Sequence, residues 1–305
     1  MTRPRIVYEG KVVALSRRTT RRHFLFNPDE RRVLEQMYWY CLGLAAQEHG
    51  VVVHAATLMS THSHEVVTDV RGELPLFNRR FHRLMALCTK AYRGWPEEVF
   101  NKDKTGEHEL LTAEAIIESM AYLMANPVQA WAVRYAKDWP GAHTLPAEVG
   151  RRTVRVRRPE HYFNPLNPRW PETVELRLEM PIALTDAYGE SEARRHIAER
   201  LSARQRKMWQ ESKRTGKTFL GARRVLRLPF TKRASSDEVL GSLNPRFSAV
   251  GNRAAATEAV ARLRAFKDQY DRALAAWMAG RRDVCFPRGT WWMRVFHGAP
   301  CGPGP

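Results

Sequence analysis

The chain has 305 residues, enough for two domains or one large one, and 44% of them are apolar, so a packed core is feasible and wholesale disorder is excluded. Fifty Lys and Arg stand against 32 Asp and Glu, a formal charge of +18, which points to a polyanionic partner, most plainly nucleic acid. Four scattered cysteines (Cys41, Cys88, Cys285, Cys301) form neither a disulfide framework nor a zinc ribbon; no run of about 18 apolar residues suits a membrane span. The N-terminus lacks the apolar core of a signal peptide, and a reduced cytoplasmic protein is expected.

Residues 11–15 alternate as a first strand and run into Ser16-Arg17-Arg18-Thr19-Thr20-Arg21-Arg22-His23. Arginines set among hydroxyls suit phosphate contacts, although a solvated edge strand would carry the same residues. Asn27-Pro28-Asp29-Glu30 predicts a helix start, with Asn27 as N-cap and Pro28 in the first turn. Val33, Leu34, Met37, Tyr38, Cys41, Leu44 and Ala45 then recur at helical spacing up to Gly50.

Residues 51–59 and 62–69 read as two strands joined by a tight Ser60-Thr61 turn. Strand side chains alternate faces, so His62 and His64 point the same way, with Cα atoms about 7 Å apart. Two imidazoles at that separation can converge on one metal ion. They can equally be polar residues on a solvated strand face.

A helix is expected over residues 75–92, with Phe77, Phe81, Leu84, Met85 and Cys88 as its core stripe, and with Arg79, Arg80 and Arg83 on the other side. Gly94 ends it. Residues 99–111 hold a last strand, and Thr112 caps a long helix running past Asn126-Pro127 toward Lys137, kinked or broken by Pro127. Glu118, Tyr122 and Asn126 recur every four residues and so lie on one polar line, opposite Ile116, Ile117, Met120, Met124 and Trp131. Tyr122 is free there to meet a phosphate, or to sit as a rim residue. The order strand–helix–strand–strand–helix–strand–helix predicts an α+β fold, a ferredoxin-like α/β sandwich with an extra helix.

Trp139-Pro140-Gly141 and the basic tract 149–171 mark an expected boundary, giving an α/β domain over 1–145 and a mainly helical basic region over 146–305, DNA-binding or accessory. Within it, residues 173–184 alternate as a strand, and Ser191 opens a helix bearing Arg194, Arg195, Arg200, Arg204, Arg206, Lys207 and Lys213. An amphipathic stripe runs from Val260 to Trp277, and residues 286–297 are rich in aromatics. Gly216-Lys217-Thr218 ends like a P-loop, but Glu211 stands where the first glycine belongs.

The His62-Ser63-His64 element, the Tyr122-Leu-Met-Ala-Asn126-Pro127-Val128 stretch and the basic first strand resemble the HUH single-tyrosine transposases, more closely their REP-associated branch. The resemblance covers roughly residues 10–140 and implies the HUH nuclease fold. It implies His62 and His64 as ligands of a divalent ion (Mg²⁺ or Mn²⁺), Tyr122 as nucleophile and Asn126 as third ligand, with Glu118 as the alternative. It implies cleavage and joining of single-stranded or hairpin DNA through a 5′-phosphotyrosine, by a monomer or homodimer. Ser63 departs from the hydrophobic residue of the family motif, and the long C-terminal half is absent from small members. Arg17, Arg18, Arg21, Arg22, Arg79, Arg80 and Arg83 are the expected DNA contacts, with Trp95, Trp209, Trp291 and Trp292 as aromatics suited to stacking. Two other readings stand beside this one: a non-catalytic DNA-binding protein derived from such a transposase, and a metal-dependent hydrolase that recruits Asp69 and His54 to the histidine pair.

Overall fold

Two strand pairings decide the architecture, and both run through the histidine-bearing strand. In the computed structural model, which describes residues 6–101, 105–235 and 246–302, β3 (His62–Asp69) lies antiparallel between β2 (Val51–Met59) and β1 (Lys11–Arg18). β4 (Gly106–Leu110) pairs antiparallel with the other edge of β1, and β7 (Phe247–Ser248) adds a short parallel strand, giving the order β2-β3-β1-β4-β7. β1 and β2 are therefore parallel with β3 between them, the split βαβ arrangement of a ferredoxin-like sheet. The fold expected from the element order is present.

Helices cover both faces. α1 (Val33–His49) and α2 (Leu74–Arg93) pack on one, against Val13, Leu15, Val53, Leu58 and Val67. The other face carries Ala55, Val66 and Leu110 and is covered by α3 (Ala113–Gln129) and α4 (Ile182–Thr215). A β-bulge at His54 makes this possible. The register jumps between Val53 and Ala55, so Ala56 and Leu58 continue the apolar face begun by Val51 and Val53. His54 itself bonds the Glu179 carbonyl (2.8 Å) and the Thr68 hydroxyl (2.7 Å).

Three boundaries differ from the sequence reading. α1 begins at Val33, not at Asn27, and the Asp29 carboxylate accepts from the amides of Val33 and Leu34 at 3.0 Å each. Asn27 is buried and employed elsewhere: its amide donates to the carbonyls of Val225 (2.9 Å) and Leu228 (3.1 Å), and its oxygen accepts from Ser60 (2.9 Å). α3 stops at Gln129 with Pro127 in its last turn, and the chain reverses through Trp131, whose φ is 59°. β6 (Thr173–Arg177) is shorter than expected, and Leu184 belongs to α4, which is broken at Gly189 (φ 72°, ψ 156°).

The cores continue across residue 145. β6 pairs with β5 (Thr153–Arg157), and this hairpin lies on α1 so closely that a Cβ on Gly43 would fall 2.6 Å from Val174 Cγ1. Leu184, Ala193, Ile197 and Leu201 of α4 join the α3 core. Beyond α4 come α5 (Ala222–Leu226), α6 (Arg253–Met278) and α7 (Trp291–His297); α6 is held to the sheet by an Arg262–Glu109 ion pair at 2.9 Å. Among the described residues no helix is long and apolar enough to cross a membrane.

Burial keeps several histidines neutral. His54 is pushed down to about 4 and His143 to about 3, both chiefly by loss of hydration. As pH falls below the ordinary value of about 6.5, the unfolded chain binds protons that the folded chain refuses, so stability drops. Glu65, raised to about 7 by burial, acts in the opposite sense but is a single group against these two, and the depressed His62 and His64 add to them. The thermal midpoint is therefore expected to fall steadily between pH 6.5 and pH 4.5. A flat midpoint across that window would contradict this burial pattern.

Candidate functional site

The alternation of β3 sorts its side chains between two environments. Glu65 and Val67 turn toward α1, where the Tyr38 hydroxyl donates to Glu65 at 2.7 Å; Ser63 is buried with them. His62, His64 and Val66 turn toward α3. The tight turn before His62 is pinned by two backbone bonds, Phe26 N–H to the Ser60 carbonyl (3.1 Å) and Thr19 N–H to the Thr61 carbonyl (2.8 Å).

α3 is set by its own sequence. Thr112 caps it by accepting from the Ala115 amide at 3.1 Å, and Ile116, Ile117, Met120 and Met124 are buried. That phase delivers Tyr122 and Asn126 to the histidines. Asn126 Oδ1 lies 3.2 Å from His62 Nε2, and the His62 and His64 ring centroids are 4.8 Å apart at 84°. The Tyr122 ring stands edge-on to His64 at 5.6 Å and is 45% exposed. His62, His64, Tyr122 and Asn126, separated by up to 64 positions in the chain, thus form one cluster.

Both imidazoles are held neutral. Burial takes His62 down to about 4, assisted by Arg18 and Arg22 and opposed by the Asn126 hydrogen bond. Burial also holds His64 well below its ordinary value, with His62, Arg18 and His108 adding to it against a hydrogen bond to the Leu15 carbonyl. A neutral ring whose one nitrogen donates to a backbone carbonyl offers a lone pair on the other, the arrangement that orients a metal-ligating histidine. His62 has the same option, because Thr61 Oγ1 lies 2.9 Å from its Nδ1.

The residues fit a small oxygen-preferring divalent ion in type. Two neighbouring ligands about 2.1 Å from such an ion stand about 3 Å from each other at a right angle, close to the Nε2–Oδ1 separation of His62 and Asn126. The set is two imidazoles and one amide oxygen. Among the described residues no cluster of three or more His, Cys, Asp and Glu could hold a metal. Glu118, the other expected ligand, is committed elsewhere: Arg204 donates to one oxygen at 2.6 Å, and Arg200 pairs with the other at 3.1 Å. The hydrolase ligand set does not assemble either. Asp69 accepts from the Glu73 and Leu74 amides at the start of α2, and His54 occupies the bulge.

The expected DNA contacts divide by face. Arg18 lies directly across from His62 on β1, and Arg22 is close enough to perturb that ring. Arg17 points the other way, donating to the Asn101 carbonyl at 2.7 Å and lying 5.4 Å from the Phe100 ring centre. The Arg21 amide is held by Asn101 Oδ1 at 3.1 Å. Arg79, Arg80 and Arg83 ride on α2, which packs on the opposite face of the sheet, and Arg80 is locked to Glu48 at 2.6 Å. The structure does not bring these three to the histidines.

Sequence reasoning missed the polar row beside the pair. Thr57, His64, Ser16 and Gly106 are successive cross-strand partners, and Thr57 Oγ1 lies 2.9 Å from His143 Nδ1. Gly106 leaves room for Ser16, whose Oγ would be 2.5 Å from a Cβ there. Alternation in the first strand, with Ser16 two positions before Arg18, was the available signal. Arg204, read only as one of many basic residues on a helix, places its guanidinium 5.7 Å from the Tyr122 ring centre.

No protein-family model matches the sequence, and no curated protein matches it. Among solved structures, a REP-associated tyrosine transposase bound to a REP hairpin is similar at 18% identity, over 50% of this chain and 86% of that chain, with a TM-score of 0.41.

The Glu118 pairings clamp α4 onto the helix that carries Tyr122. Replacing Glu118 with Gln is expected to speed amide exchange in the middle of α4 by up to about fivefold, since a partly exposed ion-pair network contributes ~1 kcal/mol. Unchanged exchange would mean that apolar packing alone seats α4.

Proposed function

We propose that this protein cleaves and rejoins strands of single-stranded or hairpin DNA, with Tyr122 as the nucleophile. The observation that carries the reading is the placement of an exposed tyrosine edge-on to the second of two neutral, converging histidines, on a helix whose next turn supplies Asn126. Few structural demands explain a half-exposed tyrosine there, with its ring centre 5.6 Å from that of His64. The net charge of +18 suits a polyanionic substrate.

His62, His64 and Asn126 would hold Mg²⁺ or Mn²⁺, which supplies polarisation of a phosphate oxygen and offsets charge in the transition state. The chain's own residues do the remainder. Tyr122 Oη forms a bond to phosphorus as the bond from phosphorus to the 3′-oxygen breaks. The 3′-oxygen leaves as a hydroxyl, so one proton is gained there for the one lost from the phenol. The product is a 5′-phosphotyrosine, and attack by a strand's 3′-hydroxyl reverses the step and joins DNA. Arg18 and Arg22, beside His62, would meet flanking phosphates. Arg204, 5.7 Å from the Tyr122 ring centre, adds positive charge where the phenolate character develops.

Incubated with Mn²⁺ and labelled hairpin-bearing single-stranded DNA, the wild-type protein is expected to form an adduct that survives denaturant. Tyr122→Phe should reduce it by about 10³-fold or more, because the nucleophile is lost while the fold is kept. His62→Ala or added chelator should also abolish it. An unchanged adduct in Tyr122→Phe would sink the assignment; tight DNA binding with no adduct would favour a non-catalytic binding protein. The ligand set has its own check. Asn126→Asp, which exchanges an amide for a carboxylate, should tighten Mn²⁺ binding by about tenfold, measured by the paramagnetic resonance of free Mn²⁺. No change would remove Asn126 from the ion.

A further inference from the structure

The end of α3 beyond Asn126 opens onto a cleft of about 600 Å³ that the proposed chemistry does not use. From Tyr122 to the last residue of α3 is about 10 Å at helical rise, and the first lining residues, Val133 and Arg134, follow four and five positions after that end. Val133, Gly221 and Ala222 line it, with Phe219 as an aromatic wall. Trp131 packs on Phe219 with ring centres 5.0 Å apart at 30°, and a second pair, Tyr135 and Trp209, stands at 5.2 Å.

The cleft is tied together by backbone. Leu220 N–H donates to the Trp131 carbonyl and Gly221 N–H to the Ala132 carbonyl, both at 2.9 Å. Trp209 Nε1 donates to the Arg134 carbonyl, also at 2.9 Å, so α4 is fastened to the same loop. Tyr135 is nonetheless 39% exposed, an aromatic face left partly open to solvent. The rim is cationic. Lys217 Nζ lies 4.6 Å from the Trp131 ring centre and the Arg134 guanidinium 5.8 Å from that of Tyr135. Asp138 is the single acid in the lining, and Ser212 and Thr218 add hydroxyls.

An apolar peptide would satisfy the walls and leave the cations without purpose. A phosphate alone would satisfy the cations and leave the aromatics idle. A nucleobase with its backbone uses both: a flat π-face for stacking, a polar edge for hydroxyls, and an anionic phosphate for the rim. We propose that this cleft receives one unpaired base of the DNA strand that passes Tyr122, stacked on Phe219, which Trp131 backs, with adjoining phosphates on Arg134 and Lys217. The assignment rests on the reading of the chain as a protein that handles single strands. It gives residues 205–222 a task in strand selection that the catalytic cluster does not perform.

The test uses the full chain and two labelled probes of equal length and charge, an oligothymidylate and the same backbone made wholly abasic, with affinity read by fluorescence anisotropy. Phe219→Leu keeps an apolar wall but removes the π-face. It should weaken oligothymidylate binding by about tenfold and leave the abasic probe unchanged. Arg134→Ala should weaken both probes alike and lower the salt slope by about one. Tyr135→Leu, next to the lining residue Arg134 and partly open to solvent, provides a second base-selective loss if Phe219→Leu misfolds. Equal losses on both probes for Phe219→Leu and Tyr135→Leu, or no loss on either, would overturn the cleft. Adduct formation at Tyr122 is scored separately: adduct without base selectivity defeats the cleft alone, whereas base selectivity without adduct supports the cleft and defeats the catalytic reading.

Discussion

The phase of one strand controls this molecule. β3 is hydrogen-bonded on both sides, to β2 and to β1, so its side chains alternate between an interior packed by α1 and α2 and an interior packed by α3. A slip by one residue would turn His62 and His64 toward Tyr38 and send Ser63 and Glu65 to α3, dismantling the cluster in one move. The structure resists the slip at both ends. The turn before His62 is pinned by the backbones of Thr19 and Phe26, and the bulge at His54 resets β2 so that apolar residues face the first core along its whole length. Asp69, closing the strand, caps α2 through the Glu73 and Leu74 amides, which ties helix position to strand register.

The two faces treat polar groups differently. On the α1 side Glu65 is fully enclosed with Tyr38 and Ser63 as its polar neighbours, the Tyr38 hydroxyl donating to one oxygen, and burial raises its pKa to about 7 against those bonds. A carboxyl in that state costs stability and holds its neighbours in a defined place. On the α3 side the polar groups converge: neutral imidazoles, a buried amide oxygen and a half-exposed phenol. The later part of the chain completes this side. Arg204 pairs with Glu118 and also faces Tyr122, so the α4 contact that closes the second core also sets the charge around the tyrosine.

Much of this was legible because it is local. The turn between the histidine strands, the apolar stripe of α2 and the Thr112 cap are each written within a few residues, and each is found where the pattern places it. The line Glu118–Tyr122–Asn126 was equally visible, but helical spacing says which residues share a side and not which of them a neighbouring helix claims. Arg200 and Arg204, more than eighty positions away, take Glu118. Asn27 misled for the same reason. It has every local mark of an N-cap, and its partners Val225 and Leu228 lie about two hundred positions further on. Charge composition identified Arg79, Arg80 and Arg83 but carried no information about face; only the packing of α2 places them behind the sheet. Ser16, Thr57, His108 and His143 needed the strand register before they could be seen as neighbours of the pair.

The central claim is that a single phenolic oxygen carries the DNA strand. Its most direct test is to digest the covalent protein–DNA complex with protease and nuclease and locate the residual nucleotide by tandem mass spectrometry. The account predicts a phosphodiester-linked nucleotide on Tyr122 and on no other tyrosine. A nucleotide found on Tyr135, or on a serine of the polar row, would contradict it.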